Sequence, residues 1–221
     1  MKRLIPVVMG LIFFIMAMPV CAGQDTSLKG KIVVVDPGHG GYDPGTIKGG
    51  VCEKHINLQI GQKLKKALEN KGVTAILTHD GDYNLAITGL HAKMARRYDL
   101  NQRLKISEDS KAALYVSIHA NSARNKSIQG AEVFYNPKSE KSKRLAEVIQ
   151  DQLRSIPGME KRMAKLNDYY VLKNATVPAV LVEVGYLSNP QEREKLINAE
   201  YQTLLSDKIS IGIKKFLTSR P

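Results

Sequence analysis

The sequence predicts a single α/β domain built on a mostly parallel sheet of about six strands, with helices on both faces. Residues 32–35 are a continuous β-branched run that stops at the turn sequence of residues 36–38, as expected for a strand buried on both faces. From Glu53 onward apolar residues recur at helical spacing until residues 70–72, and a second apolar run covers residues 73–78. A strand, a helix and a strand in succession predict a parallel crossover unit.

Apolar runs typical of strands and apolar residues at helical spacing continue downstream. Asn189 as N-cap, Pro190 at the first helical position and Glu192 three residues past the cap predict a helix start. Apolar residues at helical spacing as far as Leu217 mark a final helix. The other predicted segments are, in order, one or two helices within residues 79–113, strands at 114–118 and 131–135, a helix at 145–153, and strands at 169–172 and 179–184.

The first 22 residues are predicted to be a secretory signal peptide rather than part of the domain. Lys2 and Arg3 give a positive start, a 17-residue apolar run follows, and small residues permit cleavage after Ala22. An uncleaved membrane anchor is the alternative, because a run of this length is near the shortest that spans a bilayer. The expected organisation is a signal peptide at 1–22, a short polar lead at 23–30 and one catalytic domain at 31–217.

The composition is that of a globular protein with a strong positive charge. Hydrophobic residues make up 43% of the chain and charged residues 24%, and cleavage would leave Cys52 as the one cysteine, which excludes an intramolecular disulfide. Loss of Lys2 and Arg3 would lower the formal charge from +12 to +10. For an exported protein this charge favours the anionic polymers of a cell wall over nucleic acid as partner, although excess lysine that serves solubility alone is an equal alternative. A membrane is an expected partner only if the N-terminal segment is retained.

Reactive side chains accompany three of the predicted strands, at the edge where α/β sheets place functional groups. His39 follows the first strand, His119 follows the third, Glu183 lies within the last, and Glu53 begins the first helix. Two imidazoles and a carboxylate form a normal catalytic zinc set with one position left for water, and a second carboxylate can act as base. His39, Glu53 and His119 fit the first role, and Glu183 fits the second.

Each of these residues also has an ordinary structural explanation. A single histidine is more often a polar surface or core residue than a ligand, and a glutamate that begins a helix is favourable for the helix dipole alone. Glu183 is the exception, because a carboxylate inside an apolar strand is costly unless it is paired with charge or metal. Cys52 as a fourth ligand would close the coordination shell, so a packing role is expected for it. We expect His55 to lie on the surface and assign no function to His79 or His91.

Four short motifs stand in a fixed order along the chain. They are DPGHGG from Asp36 with DPG from Asp43, EK from Glu53 with NL from Asn57, SIHAN from Ser117, and VEVG from Val182 with LSN from Leu187. Together they resemble the zinc-dependent N-acetylmuramoyl-L-alanine amidase family, and the resemblance covers residues 31–217. It implies that His39, Glu53 and His119 hold Zn²⁺ and that Glu183 is the catalytic glutamate.

The resemblance implies hydrolysis of the amide bond between N-acetylmuramic acid and L-alanine in peptidoglycan, outside the cytoplasm in the cell wall or spore envelope. The polar segment at residues 89–101 and the lack of a wall-binding repeat are similar to the single-domain germination-specific amidases, which act on spore cortex and help to form muramic-δ-lactam. Two alternatives stay open, a non-catalytic peptidoglycan-binding or regulatory module and a zinc hydrolase of another acylated amide. The sequence also leaves open cortex or vegetative wall as substrate and the need for an activating protein partner.

Overall fold

The computed structural model describes residues 28–219 of the chain. The strands are β1 (Ile32–Pro37), β2 (Ile47–Lys48), β3 (Val51–Cys52), β4 (Thr74–Leu77), β5 (Leu114–Asn121), β6 (Glu132–Tyr135), β7 (Lys165–Leu166) and β8 (Ala179–Tyr186). The helices are α1 (Glu53–Glu69), α2 (Ala92–Asp109), α3 (Glu140–Arg154), α4 (Tyr170–Asn174), α5 (Pro190–Ile197) and α6 (Ala199–Thr218). The predicted signal peptide, residues 1–22, lies outside the described residues, as does most of the predicted lead at 23–30.

Six strands form one mostly parallel sheet in the order β4-β1-β5-β8-β6-β7. β1 pairs in parallel with β4 and β5, and β5 pairs in parallel with β8. β6 runs antiparallel to β8, and β7 pairs with β6 at the edge. The predicted single α/β domain is confirmed. This order places the carboxyl ends of β1, β5 and β8 side by side, where open α/β sheets carry their functional groups.

Helices cover both faces of the sheet, as predicted. Val33 and Val35 face the apolar layer formed with α1, α3 and α6, whereas Val34 faces the layer formed with α2 and α4. Strand side chains alternate between the two faces of a sheet, so residues two positions apart along a strand share a face. His119 and Glu183 therefore lie on the face that α2 and α4 cover, and they line a cavity on that side together with residues of both helices.

The strand predicted at residues 169–172 is wrong, because this segment enters the five-residue helix α4. Its aromatic and β-branched residues favour a strand locally, but one helical turn buries both Val171 and Leu172 in the layer below α2. The sixth strand is β7 instead. Lys165 and Leu166 of β7 are both exposed, so the strand has no apolar run that periodicity could detect.

The polar segment at residues 79–113 contains a single α-helix, α2, within the range where one or two were expected. The predicted start of α5 is confirmed, since the Asn189 side chain accepts hydrogen bonds from the backbone N–H groups of Gln191 and Glu192. None of the helices within residues 28–219 is both long enough and apolar enough to cross a membrane.

Candidate metal centre

The sequence-predicted site residues meet at one cavity beyond the carboxyl ends of the central strands. The cavity measures about 480 Å³, and His39, Glu53, His119 and Glu183 all line it. His39 comes from the turn after β1, Glu53 from the first residue of α1, and His119 and Glu183 from the neighbouring strands β5 and β8. His119 and Glu183 are register partners across these two strands.

Three of these residues direct potential ligand atoms at a common point. One potential ligand atom from each of His39, Glu53 and His119 lies within 4.8 Å of the other two. Glu53 Oε1 is 3.1 Å from His39 Nε2 and 3.0 Å from His119 Nδ1. Two ligands of a tetrahedral zinc ion at 2.0–2.1 Å lie about 3.3 Å apart, so these separations fit a shared cation. Two imidazole nitrogens and a buried carboxylate are also the donor set of catalytic zinc sites.

The backbone around His39 is shaped to bring the two imidazoles together. His39 has a φ of 69°, in the left-handed region that a non-glycine residue seldom adopts. A Cβ on the preceding Gly38 would lie 2.2 Å from ring atoms of His119, so only glycine fits there. Asn57 of α1 fixes this turn to the carboxylate, because its Nδ2 donates to Gly38 O at 3.1 Å and to Glu53 Oε1 at 3.3 Å.

The charges at the site are strongly coupled. Burial alone would lower the pKa of His39, but its contacts with Asp43 and Glu53 raise it to about 9. Burial alone would raise the pKa of Glu53, but the two imidazoles hold it well below its usual range. Asp43 Oδ2 lies 2.8 Å from His39 Nδ1, on the opposite side of the ring from Glu53. This carboxylate fixes the ring orientation and directs Nε2 towards Glu53.

Glu183 is a buried carboxylate that faces the same cavity. Its exposed fraction is 7%, and its Oε2 has no hydrogen-bond partner among the described residues. Burial, followed by the negative charge of Glu53, raises the pKa of Glu183 to about 8. An unpartnered carboxylate beside a set of candidate metal ligands can exchange protons with a bound water or substrate.

The other histidines and Cys52 lie apart from the candidate ligand set. His55 is more than half exposed and its Nε2 is 3.6 Å from Asp82 Oδ2, which agrees with the expected surface role. His91 is the exposed residue that precedes α2. His79 is buried, with Nε2 2.8 Å from Pro37 O and Nδ1 2.8 Å from a second backbone oxygen. Cys52 precedes α1, and its sulfur is not among the clustered ligand atoms of the described residues.

Several cavity residues were not singled out by the sequence. Arg96 and Leu100 of α2, and Tyr169 and Tyr170 at the start of α4, also line the cavity. Tyr169 and Tyr170 fall within the strand predicted at 169–172, so the sequence did not indicate them as cavity residues. The residues of α2 belong to none of the motifs. Asn121, the last residue of β5, also lines the cavity.

Comparison with known proteins identifies relatives over nearly the whole described chain. Residues 33–215 match the family model described as N-acetylmuramoyl-L-alanine amidase. A germination-specific N-acetylmuramoyl-L-alanine amidase from Bacillus subtilis (strain 168) is 35% identical over 195 residues, which cover 87% of this chain and 82% of that protein.

Solved structures give the same result. The CwlD amidase from Clostridioides difficile, solved in complex with the GerS lipoprotein, aligns with a TM-score of 0.82 and 36% identity over 85% of this chain and 98% of that one. The N-acetylmuramoyl-L-alanine amidase AmiC2 of Nostoc punctiforme aligns with a TM-score of 0.74 and 35% identity over 86% of this chain and 98% of that one. The chain therefore belongs to the N-acetylmuramoyl-L-alanine amidase family.

Proposed function

We propose that this protein is a zinc-dependent hydrolase of the amide bond between N-acetylmuramic acid and L-alanine in peptidoglycan. His39, Glu53 and His119 would hold the zinc ion, and Glu183 would be the catalytic glutamate. The observation that carries the proposal is the convergence of three ligand atoms beside a buried carboxylate that has no partner on Oε2. Family membership supplies the substrate.

The donor set suits zinc better than the hard cations. Two imidazoles and one carboxylate are common at catalytic zinc, whereas Mg²⁺ and Ca²⁺ prefer sites made of oxygen atoms. When bound, zinc would polarise the scissile carbonyl and lower the pKa of water to about 7. The three protein ligands leave a position for that water.

Glu183 would move the proton that amide hydrolysis requires. As the water oxygen forms its bond to the carbonyl carbon, the Glu183 carboxylate accepts a proton from that water. The protonated glutamic acid then donates it to the amide nitrogen as the carbon–nitrogen bond breaks. The products are the lactyl carboxylate of muramic acid and a stem peptide with a free amino group on L-alanine. A bound cation favours the ionised form of Glu183 that begins this sequence.

The cellular setting forms a further part of the proposal. The germination-specific relative supports spore cortex as substrate, where loss of the stem peptide precedes formation of muramic-δ-lactam. Peptidoglycan lies outside the cytoplasm, so we propose that the chain is exported and that residues 1–22 direct this. The CwlD amidase was solved in complex with a lipoprotein, which supports a lipoprotein as a binding partner here as well.

The direct test is digestion of purified cortex and vegetative sacculi, with mass analysis of the products. We expect muramic acid that has lost its stem peptide, together with new peptide amino groups on L-alanine. Treatment with a chelator should abolish the release, and added Zn²⁺ should restore it. Cortex should be digested faster than vegetative sacculi.

Glu183→Gln separates catalysis from binding in this assay. It keeps the shape of the side chain but removes the proton acceptor, so activity should fall by at least about 10²-fold while zinc content stays near one ion per chain. The matched control is Glu147→Gln on the exposed face of α3, with expected wild-type activity. Binding to sacculi without any release of amino groups would contradict hydrolysis and favour the non-catalytic module. Release at a different bond would contradict the substrate.

A further inference from the structure

One buried arginine of α2 donates hydrogen bonds to the backbone of the turn that carries His39. Arg103 Nη2 donates to His39 O at 2.7 Å, and Nη1 donates to Pro37 O at 2.7 Å. Arg103 itself is 1% exposed. A side chain that is 64 residues away in the sequence therefore fixes the backbone on both sides of Gly38.

Two acidic residues prevent the guanidinium from moving. Arg103 Nη1 is 2.9 Å from Asp36 Oδ1, and Arg103 Nε is 2.9 Å from Asp99 Oδ2. Asp36 is in turn anchored by the hydroxyls of Thr78 and Ser117, at 2.8 and 2.7 Å. Because the planar guanidinium has donors fixed in direction, these contacts aim Nη2 at the His39 carbonyl.

The backbone at His39 requires such support. A left-handed conformation is unfavourable for a non-glycine residue and persists only where surrounding contacts impose it. Rotation of this backbone towards an ordinary conformation would carry the imidazole, and with it Nε2, away from Glu53 and His119. The bond from Arg103 Nη2 is made to the carbonyl of the strained residue itself.

We propose that Arg103 is a positioning residue of the metal centre, which holds the left-handed turn at His39 in the conformation that presents Nε2 to the cation. The inference rests on the proposed zinc site and adds a residue to it that contacts the His39 backbone and is not one of the three clustered ligand residues. Neutralising Asp36 needs only Nη1, so the contact from Nη2 to the His39 carbonyl serves a separate purpose. Pairing of charges alone would be achieved equally by a lysine.

Arg103→Lys tests the proposal, because it keeps the buried positive charge near Asp36 but cannot reach both carbonyls and both carboxylates. The dissociation constant for Zn²⁺ is measured by competition with a chromophoric chelator, well below the unfolding temperature. Loss of support behind a histidine ligand typically weakens metal binding about 10- to 100-fold, and we expect that range for Arg103→Lys. The absorption spectrum of the Co²⁺-loaded variant should also differ from that of the wild type, since the ligand geometry changes.

The control for a general loss of stability is Ser142→Ala. Ser142 is buried at the start of α3 and accepts a hydrogen bond from Ala179 N, at the opposite end of β8 from Glu183. This variant should lower the unfolding temperature and leave the dissociation constant for Zn²⁺ within about twofold of the wild-type value.

The outcomes separate this inference from the proposed function. If the wild type binds no Zn²⁺, the zinc site itself is contradicted. If the wild type binds Zn²⁺ and folded Arg103→Lys binds it equally well, or if Ser142→Ala weakens binding as much, only the role of Arg103 is overturned. Should Arg103→Lys not fold, the charge-balanced double variant Asp36→Asn with Arg103→Gln takes its place, because it removes the buried cation and its main anion together.

Discussion

Replacing Gly38 with alanine tests how closely the candidate metal centre packs against the backbone. A Cβ on Gly38 would lie 2.2 Å from Cε1 and Nε2 of His119. Because heavy atoms pack at about 3.5 Å, the imidazole would have to retreat by about 1.3 Å. Ligand distances in metal sites vary by only about 0.2 Å, so this displacement should remove His119 from the ligand set.

The assay compares zinc binding, amidase activity and unfolding temperature for Gly38→Ala. We expect zinc affinity and activity to fall by at least about 100-fold, whereas overpacking of this kind costs only about 1–3 kcal/mol of folding free energy. The control is Gly81→Ala, the same chemical change where the new Cβ meets the Tyr83 ring at 3.3 Å. A folded Gly38→Ala protein with zinc affinity within about twofold of the wild type would refute the steric argument.

Three further predictions concern charge. Asp43→Asn removes the negative charge beside His39 Nδ1, and isothermal titration should show zinc affinity about 10- to 100-fold lower. In metal-free protein, burial raises the pKa of Glu183 to about 8 from 4.5, so its contribution to stability is complete below pH 4.5 and is lost as pH rises to 8. The unfolding temperature of the wild type should therefore fall relative to that of Glu183→Gln across that range. If the two proteins gave parallel curves of unfolding temperature against pH, the raised pKa of Glu183 would be contradicted. Burial alone would raise the pKa of Asp36, but the ion pair with Arg103 outweighs this effect and lowers the pKa below 3.8. The stabilisation by Asp36 is therefore present above that pH and lost below it, and Asp36→Asn should flatten the acid limb in circular dichroism.

The proximity of the candidate site residues could be predicted because it follows from topology. Strands β1, β5 and β8 are recognisable as apolar runs, and parallel strands bring their carboxyl ends to one edge of the sheet. His39, His119 and Glu183 all stand at or near such ends, so their proximity needs no knowledge of the loops. Glu53 is the first residue of α1, and the helix of a parallel crossover unit begins at the edge of the sheet where the preceding strand ends.

The supporting residues could not be predicted in the same way. Asp43 lies in a loop, where no periodicity relates its side chain to His39. Arg103 shares a helical face with Leu104, and a charged side chain on an inward face is a signal of buried pairing, but nothing local identifies Asp36 as its partner. The strand prediction at the position of α4 is wrong because a five-residue helix is too short for its apolar residues to show helical periodicity.

Two neighbouring carboxylates of the sheet differ in their hydrogen-bond partners, and the difference supports the proposed catalytic role of Glu183. Glu132 of β6 is the register partner of Glu183, and both are buried. Glu132 is satisfied by Arg162, Lys165 and the Tyr186 hydroxyl, so its burial costs little. Glu183 Oε2 has no such partner among the described residues, and an apolar side chain at this position would make the fold more stable. A sheet that pairs one carboxylate and leaves the next facing a cavity beside His39, Glu53 and His119 supports the proposed role of Glu183, whose partner would then be a cation, a water molecule or the substrate.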